Sequence, residues 1–127
     1  MAADMKNIFI VDDDESVCRA LKCLLMTFGY AVETFLSGKA FFDAVADTTP
    51  GCLVLDIHLP GLDGWEIQNR LALAGSKRHI IFITAERNNG ARERALKTGA
   101  LGFLQKPFTD QALMDLVQVA VEAKEKE

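Results

Sequence analysis

The sequence is poor in three features that would each point to a different class of protein. It has 3 cysteines, at positions 18, 23 and 52, without the paired spacing of a disulfide framework or a zinc site. No apolar run approaches the roughly 20 residues that a membrane-spanning helix needs. The first residues, MAADMKN, lack the apolar centre of a signal peptide. We therefore expect a cytoplasmic protein of a reducing compartment, with no membrane segment.

The sequence also lacks an excess of positive charge. Its formal net charge is −4, which gives this chain no electrostatic reason to bind nucleic acid directly. Its 127 residues are the size of one domain, and half of them are hydrophobic. We predict a single domain that spans residues 1–127, with a core of its own.

Short apolar runs alternate with helical patterns along the whole chain. Turn signals bound the apolar runs, as is typical of strands buried in a parallel sheet. We predict strands at residues 7–11, 31–35, 52–55, 79–84 and 102–105. Apolar spacing predicts helices over residues 15–28, from 37–38 to about 45, and over 66–73, 91–97 and 109–122, with Asp14 as an N-cap and Gly29 as a stop. This alternation predicts an α/β fold with right-handed crossovers.

Carboxylates follow two of the predicted strands. Asp12, Asp13 and Asp14 leave the first strand, and Asp56 ends the third. At the carboxyl edge of a parallel sheet these groups would converge, and like charges that close raise each other's pKa unless a cation neutralises them. A hard cation with oxygen ligands, Mg²⁺, would do so. The plainer alternative for Asp12–Asp14 alone is a solvated acidic turn.

Two other polar residues end strands at the same predicted edge. Thr84 supplies a hydroxyl donor and Lys106 a point cation, both suited to phosphoryl oxygens. Asp56 would then be either a metal ligand only or the nucleophile that forms an aspartyl phosphate. Taken singly, Thr84 is equally a β-branched strand residue, and Lys106 an exposed loop lysine.

Four motifs in this order resemble the response-regulator receiver domain of two-component signalling. They are FIVDDDES (9–16), LVLDIHLPGLDG (53–64), FITA (82–85) and GFLQKPF (102–108). The resemblance covers nearly all of the chain, and residues 16–38 look most like receivers of the FixJ-like transcription regulators. It implies a (βα)5 doubly wound parallel sheet of five strands in the flavodoxin-like order 2-1-3-4-5.

The resemblance also implies a role for each matching site residue. Asp56 resembles the phospho-acceptor, and Thr84 and Lys106 the phosphoryl-binding pair. For Mg²⁺, Asp13 resembles the direct ligand, Asp12 the ligand acting through water, and His58 the donor of a backbone carbonyl, with Asp56 completing the set. Phe103 resembles the switch aromatic, often a tyrosine in the family, and the Lys106–Pro107 bond is expected to be cis.

The implied function is a switch driven by phosphorylation. The phosphoryl group would come from a phosphohistidine on a sensor histidine kinase, and the surface of the last two helices and the strand between them would respond. That surface would control an output domain or a downstream protein, most often transcriptional in the FixJ-like group, and could form a homodimer. The chain would catalyse its own phosphotransfer and slow hydrolysis without being a turnover enzyme. We further hypothesise that His58 and Glu86, two residues after Asp56 and Thr84, tune the phosphate lifetime.

Three alternatives belong to other classes. A flavodoxin-like cofactor module would need a Ser/Thr/Gly-rich loop after the first strand, where this chain has Asp-Asp-Asp-Glu. An aspartate-nucleophile phosphohydrolase would need a second aspartate, which DIH (56–58) lacks, and a cap domain. A stand-alone or degenerate receiver would act only as a protein-interaction module.

Overall fold

The computed structural model describes residues 7–85 and 90–122, in which five strands alternate with five helices. The strands are β1 Asn7–Val11, β2 Ala31–Phe35, β3 Cys52–Asp56, β4 His79–Thr84 and β5 Gly102–Gln105. The helices are α1 Glu15–Thr27, α2 Gly38–Ala44, α3 Gly64–Leu73, α4 Ala91–Lys97 and α5 Asp110–Glu122. Among these described residues, no helix is long and apolar enough to cross a membrane.

All five strands are parallel and lie in the order β2-β1-β3-β4-β5. The (βα)5 fold and its strand order are therefore confirmed. The central strand β3 is buried along its whole length, as its unbroken apolar sequence predicts. Its register pairs Leu55 with Val11 and Asp56 with Ile83. The residues that leave β1, β3 and β4 consequently emerge side by side.

The sheet separates two hydrophobic cores. Phe9 and Val11 of β1 face the core covered by α2, α3 and α4, whereas Ile8 and Ile10 face the core covered by α1 and α5. This alternation follows from the period of two along a strand. Both faces of the sheet are thereby shielded from water, and the polar site is confined to its edge.

The helix ends show where local sequence decides the structure. The Asp14 side chain accepts hydrogen bonds from the backbone N–H groups of Ser16 and Val17, as expected of an N-cap. Gly29, with φ of 90°, follows the end of α1. The predicted start of α3 at residue 66 is wrong. The helix begins at Gly64, because Asp63 and Glu66 form a capping box.

A buried arginine crosses the opposite, amino-terminal edge of the sheet. Arg78 is 4% exposed. Its Nε donates to the Thr49 carbonyl at 2.8 Å, and its Nη2 donates to the Ala46 carbonyl. The guanidinium also lies over the rings of Phe41 and Phe9, 5.6 and 5.8 Å from their centroids. Arg78 therefore ties the loop after α2 to the beginning of β4, a role that the polar sequence around it does not reveal.

Candidate functional site

Three carboxylates meet at the carboxyl edge of the sheet. Oxygens of Asp12, Asp13 and Asp56 all lie within 4.8 Å of one another. Asp12 is fully buried, Asp56 is 5% exposed, and Asp13 is exposed. The pairing of Val11 with Leu55 brings this about, because the next residue on each strand is an aspartate. The predicted convergence of the acidic residues is therefore present.

Lys106 joins the carboxylates from the loop after β5. Its Nζ donates to Asp12 Oδ2 at 2.7 Å and lies 3.6 Å from Asp56 Oδ2. Its backbone N–H donates to the carbonyl of Thr84 at 2.8 Å, and its bond to Pro107 is cis, as the resemblance implied. The Lys106 ammonium reaches the acidic cluster, so Lys106 is not an exposed loop lysine.

The charges at this edge perturb one another. Burial raises the pKa of Asp56, and the Asp12 charge raises it further, whereas Lys106 and the His58 N–H oppose the shift. Burial acts to lower the pKa of Lys106, but its hydrogen bond with Asp12 and the charges of Asp12 and Asp56 raise it overall. Asp56 is thus a desolvated carboxylate held against a firmly protonated lysine.

The loop after β3 fixes the Asp56 side chain. The His58 N–H donates to Asp56 Oδ1 at 3.2 Å. Gly64 donates to the Ile57 carbonyl at 2.8 Å, and a Cβ on Gly64 would lie 2.8 Å from both the Asp56 carbonyl oxygen and Ile57 Cα. The helix α3 can begin this close to the end of β3 only with glycine at position 64. This close approach depends on tertiary packing, and no local feature of the sequence around Gly64 predicts it.

Asp12 is also held by backbone groups. The Asp14 N–H donates to Asp12 Oδ1 at 2.9 Å, so one oxygen faces the backbone and the other faces Lys106. The Cys18 thiol lies 3.3 Å from the Asp12 carbonyl oxygen. Asp12 therefore has a fixed orientation, as expected of a carboxylate that shapes the site.

The other predicted site residues occupy different positions around this edge. Thr84 is buried at the end of β4, one residue beyond the Ile83 that pairs with Asp56. His58 is exposed next to the acidic cluster. Phe103 is half-buried and packs against the core on the α2–α3–α4 face. Glu86 lies outside the described residues.

The donor set at this edge suits a metal ion. Three carboxylates whose oxygens lie within 4.8 Å of one another provide hard oxygen ligands, and Asp13 is open to water. Two of the three carboxylates are buried, so a cation there would offset the repulsion among their charges. The cluster could therefore hold a metal beside the Asp56 carboxylate.

Comparison with known proteins agrees with this geometry. The response regulator receiver domain family matches residues 8–118. The chain belongs to this family of phosphorylation-responsive domains.

Individual relatives and structures extend the comparison. The transcriptional regulatory protein TdiR of Thauera aromatica is 40% identical over 115 residues, which are 91% of this chain and 51% of that protein. The structure of the response regulator StyR matches with a TM-score of 0.86 and 40% identity, covering 91% of this chain and 59% of that one. The crystal structure of FixJ-N matches with a TM-score of 0.85 and 30% identity, and the match covers 95% of this chain and 97% of that one. The chain spans about half the length of the curated relatives it matches.

Proposed function

We propose that Asp56 accepts a phosphoryl group from a phosphohistidine on a sensor histidine kinase. The observation that carries the proposal is the placement of the Asp56 carboxylate, 3.6 Å from the Lys106 ammonium and within 4.8 Å of the Asp12 and Asp13 carboxylate oxygens. An Asp56 oxygen attacks phosphorus, the P–N bond breaks, and the electron pair leaves with the histidine ring. The product is an aspartyl phosphate.

The other residues of the site would bind Mg²⁺ and the phosphoryl oxygens during this transfer. We assign Mg²⁺ to Asp12, Asp13, Asp56 and the backbone carbonyl of His58. Bound there, Mg²⁺ would neutralise negative charge on phosphoryl oxygens. Lys106 turns from the carboxylates toward those oxygens, and the Thr84 hydroxyl donates to them. Together these groups would stabilise the negative charge that develops on the phosphoryl oxygens during transfer.

Phosphorylation would then change the packing beyond the site. A phosphoryl group adds charge and acceptor oxygens between Thr84 and Lys106. As Thr84 moves toward it, space opens for Phe103 to turn inward, and the surface of α4, β5 and α5 changes. This surface controls an output domain or a partner protein, or forms a homodimer. The name of TdiR, a transcriptional regulatory protein, supports a transcriptional output.

The remaining functional assignments concern lifetime and location. We assign this chain to the cytoplasm and expect it to catalyse only its own phosphotransfer and slow hydrolysis. His58 and Glu86, two residues after Asp56 and Thr84 in the sequence, would tune the decay of the aspartyl phosphate. Decay rates of His58→Ala and Glu86→Ala test this assignment, and two unchanged rates would remove it.

Intact mass spectrometry tests the central proposal. Wild-type protein, Asp56→Asn and Glu33→Gln are each incubated with acetyl phosphate, with Mg²⁺ or with EDTA. Glu33 is an exposed carboxylate on β2 and serves as the matched control. We expect one added phosphoryl group in the wild type and in Glu33→Gln, only with Mg²⁺, and none in Asp56→Asn. No added mass in the wild type with Mg²⁺ would refute the proposal and leave a receiver fold that acts as an interaction module.

A further inference from the structure

The helix α4 is weakly anchored by its own sequence. It has seven residues, and those it buries, Ala91 and Ala95, are both small. Gly90 at its start has no side chain with which to cap it. A helix this short is not stable by itself in water, so packing decides its position. The side chains that connect α4 to its neighbours therefore matter more than its propensity.

A cation–π contact connects α4 to α3. The guanidinium carbon of Arg94 lies 4.2 Å from the ring centroid of Trp65. Thr98, which follows α4, accepts a longer hydrogen bond from Gln68 Nε2 of α3 at 3.4 Å. The hydrogen bond is at the long limit for such a contact, whereas the guanidinium lies directly over the indole ring, so we take the cation–π contact as the more specific of the two.

The same tryptophan also contacts the strand that leads into the site. Its ring lies 4.8 Å from the ring of Phe82, at an interplanar angle of 47°. Phe82 is fully buried on β4, two residues before Thr84. A continuous series of contacts thus runs from the Thr84 strand through Phe82 and Trp65 to Arg94 on α4.

We propose that the Trp65–Arg94 contact is a latch that holds α4 in the packing described above and so opposes the phosphorylated packing. The inference rests on the proposed function. Lys106 is engaged by Asp12 and Asp56 in this packing, and a phosphoryl group on Asp56 would compete for it. Phosphorylation therefore favours a different arrangement, and the latch sets part of the free-energy difference between the two.

The expected size follows from the type of contact. A partly exposed cation–π pair changes an equilibrium by about two- to fivefold. If the alternative packing is the minor one, weakening the latch raises its population by that factor, and the apparent affinity for a phosphoryl analogue rises equally. Arg94→Ala should therefore bind beryllofluoride with Mg²⁺ about two- to fivefold more tightly than the wild type.

The variants are chosen to separate the ring contact from charge. Arg94→Lys keeps the charge and loses the planar stacking, so it should fall between Arg94→Ala and the wild type. Lys97→Ala removes a positive charge from the same last turn of α4, where Arg94 also lies. It should bind beryllofluoride as the wild type does.

Two measurements test the latch. Trp65 is the only tryptophan of the sequence, and a groove of about 530 Å³ opens beside it. Acrylamide should quench its fluorescence more strongly in Arg94→Ala than in Lys97→Ala or the wild type. Equal quenching in all three would overturn the latch without any phosphoryl analogue. The second measurement is titration calorimetry with beryllofluoride and Mg²⁺.

The outcomes distinguish the latch from the function on which it rests. Normal wild-type binding with the same or a weaker affinity in Arg94→Ala would overturn the latch alone. Tighter binding in Lys97→Ala as well would assign the effect to charge and also overturn it. Failure of the wild type to bind the analogue would overturn both proposals. Tighter binding confined to the Arg94 variants, with increased quenching, supports the latch.

Discussion

Replacing Asp56 by asparagine should stabilise the protein in the absence of metal, although it destroys the proposed acceptor. Asp12 and Asp56 carboxylate oxygens lie within 4.8 Å, so at an effective dielectric constant of about 20 their repulsion is at least about 3.5 kcal/mol. The attraction between the Lys106 ammonium and the Asp56 carboxylate, 3.6 Å apart, contributes about 4.6 kcal/mol in the opposite direction. These terms nearly cancel, which leaves the cost of burying the Asp56 charge. We expect Asp56→Asn to gain about 2 kcal/mol in free energy of unfolding.

The assay is urea unfolding in EDTA, followed by circular dichroism, with Glu33→Gln as the exposed control. The pKa of Asp56 is raised by burial and by Asp12, so the folded protein holds its proton more firmly than the unfolded chain. Wild-type stability therefore falls as pH rises from the ordinary value of 3.8 through the raised one. The advantage of Asp56→Asn should vanish at low pH and grow to its full size at neutral pH.

Mg²⁺ should reverse the relative stabilities of the wild type and Asp56→Asn. At 100 times its dissociation constant a ligand adds about 2.7 kcal/mol to the native state, and Asp56→Asn lacks one of the proposed ligands. The wild type should then be the more stable protein. If Asp56→Asn is less stable than the wild type in EDTA at neutral pH, the Lys106 attraction outweighs burial and repulsion, and the electrostatic reasoning is wrong.

Four further substitutions test separate parts of the structure. Lys106→Met should slow phosphorylation by acetyl phosphate on the order of a hundredfold, measured by mass spectrometry, yet bind Mg²⁺ more tightly in calorimetry because no ammonium competes. Gly64→Ala should lose about 3 kcal/mol in urea unfolding, since its Cβ would meet the backbone of β3. Gly75→Ala, with φ of 76° and no atom within 4 Å of the new Cβ, should lose only about 1 kcal/mol. Arg78→Met should lose about 3 kcal/mol, because it removes the hydrogen bonds to the Thr49 and Ala46 carbonyls and the cation–π contacts with Phe41 and Phe9, with unchanged phosphorylation.

Much of the fold could be predicted from the sequence because local signals coincide with burial. Apolar runs predict the bounds of strands such as His79–Thr84, and a side chain such as Asp14 marks the start of a helix. The strand order could not be predicted in this way, since parallel buried strands all look alike in sequence. It came only from the resemblance to receiver domains.

The sequence predicts which residues form the site, but it does not predict the contacts between their side chains. The positions of Asp12 and Asp56 at strand ends predict that they share an edge of the sheet. No local pattern predicts the hydrogen bond from Lys106 to Asp12, which is 94 positions away in the sequence. Arg78 is a clearer case, because its neighbours in the sequence are polar and its guanidinium binds carbonyls in the loop after α2. Such contacts arise from tertiary packing, which overrides local propensity.

The two edges of the sheet make opposite contributions to stability. At the carboxyl edge, carboxylates lie close together around the buried Asp56. At the amino edge, the Arg78 side chain donates hydrogen bonds to nearby backbone carbonyls. The edges are separated by the five-residue strand β3, about 16 Å at 3.3 Å per residue. At that separation and without shared partners, substitutions should act independently. The double variant Asp56→Asn/Arg78→Met should therefore change the unfolding free energy by the sum of the single changes within about 0.5 kcal/mol. A larger departure in urea unfolding would show that Arg78 supports the acceptor strand directly, so that charge at the site and packing at the opposite edge are coupled.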